Sequence, residues 1–221
     1  MLMSIVTIRG QLESGAAEVG KQVADRLHAD YIDREIIAEV AARLKRQERE
    51  VIEKEMPPST LRGRIAEALK GGYAFGDGMA GAYLSVVGIP LDDRRYLRAL
   101  ETVVKEVVQN RTKPLVISGR GSQFILKDYP GILHVLVVAP VEVRVKRLMQ
   151  RLKLDPEAAR QEITRYDNSL RRFFKRYFKV ESEEPVHYDL VINTGRCDFQ
   201  AAASIVVDAL SFKIFSRQNS F

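Results

Sequence analysis

Two glycines five positions apart, Gly10 and Gly15, bound the stretch in which this sequence has the means to hold an anion. It reads Gly10-Gln11-Leu12-Glu13-Ser14-Gly15-Ala16-Ala17. The glycine spacing is that of the phosphate-binding loop G-x-x-x-x-G-K-[ST]. Glycine lets the backbone fold tightly, so that successive N–H groups converge on one anion. A helix directly after the loop aims its N-terminal dipole at the same point. Three positions depart from the pattern. Ala16 stands where the motif has lysine, Ala17 stands where it has the metal-binding Ser or Thr, and Glu13 adds a negative charge that opposes phosphate. On spacing alone, a phosphate loop and an ordinary strand-to-helix turn both remain open.

Arginine is the second chemical signal, because its guanidinium grips phosphate with two parallel hydrogen bonds. Arg120 lies in Gly119-Arg120-Gly121, directly after the apolar run Leu115-Val116-Ile117. In a parallel sheet that is the carboxyl end of a strand, where open α/β sheets bind ligands. Arg144, Arg147 and Arg151 recur at helical spacing and share a face, as a phosphate clamp or as a solvated basic face. Further on, Arg160, Arg165, Arg171, Arg172, Lys175 and Arg176 alternate with Phe173, Phe174, Tyr177 and Phe178. That mixture suits single-stranded nucleic acid. It equally describes an amphipathic helix with a basic outer side, the reading favoured here. Asp33, after Ala29-Asp30-Tyr31-Ile32, is either a helix N-cap or a substrate contact. His28, His134 and His187 are isolated and receive no chemistry.

The elements that must position these groups alternate. Ile5, Val6 and Ile8 form a β-branched run expected of a central parallel strand, followed by a helix with Ala17, Val23, Ala24 and Leu27 inward. A short second strand precedes a helix over residues 34 to 44. Residues 45 to 70 read as charged helices around Pro57 and Pro58, and residues 71 to 81, with five glycines, as a loop or hinge. A long helix opens at Asp92 or Asp93 and runs to about Gln109. Strands follow at residues 114 to 118, 132 to 140 and 188 to 194. Asp155 with Pro156, and Asp198, carry helix-start signals for the last two helices.

The 221 residues fit one α/β domain with an inserted subdomain. No apolar run is long enough to span a bilayer. The N-terminus lacks the basic-then-apolar pattern of a signal peptide, and Cys197 is the single cysteine; together these suggest the cytoplasm. The net charge of +6 gathers between Arg144 and Lys179. With no helix-turn-helix, RNA-binding aromatic motif or zinc spacing beside it, small phosphates are the more economical partner than nucleic acid.

Taken together, these residues resemble the nucleoside monophosphate kinases, and within them the cytidylate-kinase-like family. The resemblance is carried by Ser14-Gly15, Tyr31-Ile32-Asp33-Arg34-Glu35-Ile36-Ile37, Gly119-Arg120 with Phe124-Ile125-Leu126, Val138-Ala139-Pro140-Val141-Glu142-Val143-Arg144-Val145-Lys146-Arg147, Tyr166-Asp167, and Tyr188 to Thr194. It implies a three-layer fold around a parallel five-stranded sheet of order 2-3-1-4-5. It implies a core of residues 1–33, 93–151 and 186–213, an acceptor-binding insert over 34–92 and a small lid within 152–180. The implied reaction is transfer of the γ-phosphoryl group of ATP, with Mg2+, to a nucleoside monophosphate such as CMP or dCMP. The alternative is a nucleotide or phosphate sensor with little catalysis. By position, Gly10, Gln11, Leu12, Glu13, Ser14, Gly15, Ala16 and Ala17 would cradle the donor phosphates. Arg120 and Arg144 would hold the acceptor phosphate, and Arg147, Arg165, Arg171 and Arg172 would close over the transferring group. Asp33 and Arg34 would lie near the acceptor, and Asp167 would position a lid arginine or the acceptor base. The chain departs from the family at Glu13, Ala16 and Ala17, at Ser118 where an acid precedes the Gly-Arg pair, and at Leu170 where an arginine follows the aspartate.

Overall fold

The computed structural model of the protein describes residues 4–44 and 93–218. The proline-flanked helices, the glycine-rich stretch and most of the expected insert lie outside the described residues, as does the side chain of Arg34. Strand β1 (Ile5–Gly10) is buried along its length and leads through the glycine-bounded loop into α1 (Ala16–Leu27). Strand β2 (Asp30–Ile32) and α2 (Arg34–Leu44) follow. After the undescribed stretch come α3 (Asp93–Gln109), β3 (Leu115–Ser118) and a short helix α4 (Ser122–Ile125). Then come β4 (Ile132–Val138), α5 (Val141–Leu152), α6 (Pro156–Tyr177), β5 (Leu190–Asn193) and α7 (Phe199–Gln218).

The strands form one parallel sheet in the order β2-β3-β1-β4-β5, the order the resemblance implied. Alternate side chains of β1 point to opposite faces, as the pleat requires. Ile5 joins a core with Ile36, Tyr96, Leu100 and Phe174, from α2, α3 and α6. Val6 and Ile8 join one with Val19, Val23 and Val206, from α1 and α7. The sheet is therefore the middle of three layers. A smaller cluster of Leu12, Val145, Leu148, Leu152, Ala159 and Ile163 ties the loop to α5 and the first turns of α6.

The helix signals at Asp155 and Asp198 are realised, since their carboxylates accept from Ala158 N at 2.9 Å and Ala201 N at 2.7 Å. The inward face of α1 differs from the expectation. Ala17 is exposed, and Val19 and Gly20 are buried with Val23 and Ala24. The helix begins only at Ala16, so its phase against the sheet is set by the loop and not by the apolar residues alone. The aromatic run of α6 is also core. Phe173, Phe174 and Tyr177 are buried, and Tyr96 meets Phe173 edge-on at 6.4 Å. These rings offer no surface on which bases can stack, so the basic face of α6 stands without them.

His134 on β4 is a buried packing residue whose Nδ1 shares a hydrogen bond of 2.7 Å with Thr7 Oγ1. Burial holds its imidazole at about 4 against an ordinary 6.5. The unfolded chain therefore binds the proton more readily, so stability is complete above the unfolded value and falls as pH drops toward the folded one. A shift of this size corresponds to at most about 3 kcal/mol. Urea unfolding at neutral pH and near the folded value should show that loss. His134→Gln should flatten the difference between the two; an identical pH slope in the variant would refute the assignment.

Candidate functional site

The loop is held by its own backbone and by the neighbouring strand. Gln11 N–H donates to Val137 O at 3.3 Å and Ser14 N–H to Gln11 O at 3.0 Å. Gln11 Oε1 accepts from Ala139 N at 3.2 Å. Glu13 and Gly15 have φ of 60° and 85°, the left-handed region. A glutamate there costs about 1 kcal/mol or more, which the surrounding contacts must offset. Gly15 is the N-cap of α1 and has no side chain with which to cap it. The first N–H groups of α1 have no intrahelical acceptor, so they point, uncapped, into the loop. That is the construction of an anion site at a helix N-terminus.

Close packing explains both glycines. A Cβ on Gly10 would stand 2.2 Å from Ser14 Oγ, and one on Gly15 would stand 2.2 Å from the ring of Phe199. The first contact also shows where the Ser14 hydroxyl goes. Ser14 is fully buried and its Oγ has no hydrogen-bond partner. It faces Gly10, and the outer side of the loop is bare of hydroxyls.

Arginines from α5 bolt the loop to the rest of the fold. Arg147 donates from Nη1 to Glu13 O and to Thr194 Oγ1, both at 3.0 Å, and from Nη2 to Thr194 O at 2.8 Å. Its guanidinium lies 4.8 Å from the centre of the Phe199 ring. Thr194 Oγ1 in turn donates to Ser14 O at 2.5 Å. Arg151 forms an ion pair with Glu13. Burial pushes the Glu13 carboxyl up, while Arg151 pulls it down. The charge that the sequence sets against phosphate is thus turned onto α5 and paired.

Arg144 and Asp167 form a two-pronged pair, with Nη1 at 3.2 and 3.0 Å from the two carboxylate oxygens and Nη2 at 3.0 Å. Their side chains are only 6% and 9% exposed. Arg144 Nη1 also reaches Leu12 O at 3.4 Å, so this pair ties α6 to the loop. Burial drives the Asp167 carboxyl up and Arg144 opposes it.

Arg120 sits at the same sheet edge as the loop. β3 is parallel to β1, with Ile8 opposite Ser118, and Gly119 N–H donates to Ile8 O at 2.9 Å. Gly119, Arg120 and Gly121 have φ of 66°, 57° and 69°, three left-handed residues in succession. A Cβ on Gly121 would stand 2.5 Å from the Phe178 ring, so that position accepts only glycine. Arg120 Nη2 meets Asp33 Oδ1 at 3.3 Å, and both side chains are 25% exposed. Asp33 is therefore a partner of Arg120. Its backbone N–H, not its carboxylate, makes the local contact at the start of α2, donating to Glu35 Oε2 at 3.0 Å. Tyr166 completes this corner. Its ring packs against the cluster around Leu12, and its hydroxyl is pushed up by burial, with Arg120 and Arg9 acting against that.

Arg171 and Arg172 lie exposed on α6, bonded to Asn168 Oδ1 at 3.0 Å and Ser169 Oγ at 3.1 Å. Arg172 lines an open depression of ≈ 420 Å³ with Arg160, Thr164, Arg165 and Asn168, away from the loop. The structure thus brings the loop, Arg144, Arg147 and Asp167 together and sets Arg120 with Asp33 beside them. It places Arg171 and Arg172 on the outer face of α6.

Sequence reasoning passed over Arg9. It is 5% exposed, donates to Ser182 O at 2.6 Å, Tyr188 Oη at 3.0 Å and Ser182 Oγ at 3.1 Å, and lies 4.5 Å from the Phe174 ring centre. It pins the segment before β5 against the loop, and Gln11 Nε2 reaches Glu183 Oε2 in the same segment at 3.0 Å. The available signal was a charged residue inside an otherwise apolar strand.

A sequence model described as the cytidylate kinase-like family matches residues 5–196. The chain belongs to the cytidylate kinase-like family. Among curated proteins, the cytidylate kinase of Halobacterium salinarum is 27% identical over 119 residues, which span 54% of this chain and 61% of that protein. That of Archaeoglobus fulgidus is 28% identical over 116 residues, 52% of this chain and 63% of its own length. The chain thus spans about six-tenths of the length of these relatives. The cytidylate kinase of Haloarcula marismortui is 22% identical over 206 residues, covering 93% and 88% of the two chains.

Two solved structures share the fold. An uncharacterized protein from Eubacterium ventriosum has a TM-score of 0.64 at 16% identity, covering 94% of this chain and 98% of its own. A gluconokinase from Sinorhizobium meliloti has a TM-score of 0.50 at 16% identity, covering 99% and 97%. This cytidylate kinase-like chain therefore carries its altered loop on a P-loop kinase fold. Among the described residues, no helix is long and apolar enough to cross a membrane.

Proposed function

We propose that this protein moves the γ-phosphoryl group of ATP to a nucleoside monophosphate of the CMP class. An oxygen of the acceptor phosphate forms the new bond to phosphorus as the bridge to the β-phosphate breaks, leaving ADP and a nucleoside diphosphate. Such a transfer needs positioning and positive charge more than covalent help. The observation that carries the reading is the uncapped, left-handed entry of α1 at Gly15, one strand away from an arginine held left-handed at Arg120. Backbone strain of this kind concentrates at functional sites.

In this reading the backbone of Gly10 to Ala17 holds the donor phosphates. Arg120, steered by Asp33, takes the acceptor phosphate. Arg144, Arg147 and Asp167 act by fixing the loop, to which they are bonded. Arg171 and Arg172, on the outer face of α6, contribute positive charge at a distance and do not touch the loop. The insert over 34–92 covers the acceptor, and the first turns of α6 serve as the lid. The aromatic anchor of Phe173, Phe174 and Tyr177 keeps the rest of that helix in the core. The backbone cradle fits the phosphates of ATP. Magnesium, where bound, would neutralise charge on the transferring group. The loop side chains do not fit it, because Ala17 has no hydroxyl and that of Ser14 is buried against Gly10.

The sensor reading is favoured by the same two alanines, Ala16 and Ala17. Arg120→Ala separates roles within the enzyme reading. Loss of a charged hydrogen-bond pair to phosphate should raise KM for the monophosphate about 10- to 100-fold. Steady-state kinetics against CMP, dCMP and other monophosphates checks this; unchanged KM for all of them removes Arg120 from the site.

A further inference from the structure

We infer that the loop takes its nucleotide through backbone N–H groups, with none of the described side chains bonded to the magnesium ion that accompanies the nucleotide. The inference rests on the phosphotransferase reading and concerns how the donor is held. In a phosphate loop of the usual kind, the hydroxyl after the lysine ligates magnesium. Here that position, Ala17, is exposed and carries a methyl group.

Among the described residues, the oxygens of Asp33 and of the side chains that form or grip the loop are buried or already paired. Ser14 Oγ is buried against Gly10. Thr194, 3% exposed, donates its hydroxyl to Ser14 O at 2.5 Å and accepts from Arg147 at 3.0 Å. Glu13 is ion-paired with Arg151, Asp167 with Arg144 and Asp33 with Arg120. Glu183 Oε2 accepts from Gln11 at 3.0 Å. Among the described residues, no group of three or more His, Cys, Asp and Glu gathers to hold an ion. Magnesium demands near-octahedral oxygen geometry and gives up water reluctantly. A carboxylate locked in a buried ion pair would have to abandon its arginine to reach it, leaving a buried charge uncompensated. The backbone cradle carries no such conflict, because N–H groups bind phosphate oxygens directly.

The consequence is an affinity for ADP that is indifferent to magnesium. Calorimetric titration of the full chain with ADP, in magnesium chloride and in EDTA, should give dissociation constants within about twofold of each other. Ala17→Ser replaces an exposed methyl with the missing hydroxyl and should tighten ADP about tenfold in magnesium but not in EDTA. That pair of results supports the inference. Magnesium dependence in the wild-type chain overturns it while leaving the phosphotransferase reading intact. Indifference in both forms also overturns it, because position 17 then does not decide metal contact. Absence of ADP binding under every condition overturns the phosphotransferase reading, and the inference falls with it.

Discussion

Asp167→Ala is expected to cost about 3–5 kcal/mol of stability, the range for removing one partner of a buried ion pair. The reason is less the lost attraction than the charge left behind. Arg144 is 6% exposed in its side chain, and without the carboxylate its guanidinium keeps, among the described residues, the long contact to Leu12 O at 3.4 Å. For a chain of this size that loss lowers Tm by about 6–20 °C. The double replacement Arg144→Met with Asp167→Leu removes both charges together and should recover most of the stability. It should not recover nucleotide affinity, because the tie from α6 to the loop is then gone. Urea and thermal unfolding of the three forms check this. A loss below about 1 kcal/mol in the single variant would place the pair among weak surface contacts.

Gly15→Ala is the second large effect, expected at about 2–6 kcal/mol with loss of nucleotide binding. Two causes add. The residue sits at φ 85°, where a side chain is strained by about 1–3 kcal/mol. Its new methyl would stand 2.2 Å from the Phe199 ring, and overpacking of that kind adds about 1–3 kcal/mol. Phe199→Leu in the same chain separates the causes. It relieves the overlap and leaves the φ strain, so about half the stability should return and the nucleotide affinity should not. Phe199 also lies under Arg147, so the ring cannot retreat without disturbing the bond from Arg147 to Glu13 O. Equal stability of Gly15→Ala and the wild-type chain would show that the loop does not adopt this geometry in solution.

The framework of this fold was legible because it is written in local patterns. The apolar runs of β1, β3 and β4, the Asp155-Pro156 start of α6 and the Asp198 cap of α7 each depend on residues a few positions apart. The sheet order came from resemblance, since spacing alone does not say which strands pair. The site was legible as a set of residue types but not as a set of contacts. An arginine that grips a ligand looks the same in sequence as one that grips a carbonyl. Arg147 therefore reads as a closing arm and folds as a bolt, bonded to Glu13 O and to Thr194 O at 2.8 Å. Thr194 lies 180 positions from Ser14, and Asp33 lies 87 from Arg120. No periodicity connects residues so far apart. Glu13 shows the same limit from the other side: its charge is visible in sequence, and its neutralisation by Arg151 is not.

The claim that joins loop, arginines and family is phosphoryl transfer through a loop that lacks its lysine and hydroxyl. Phosphorus NMR of the full chain with ATP, magnesium and CMP tests it most directly. The account predicts that CDP and ADP appear together in equal amounts, and that Gly15→Ala abolishes both. ADP binding without any CDP, across the panel of monophosphates, would contradict it and leave the nucleotide sensor as the function of this fold.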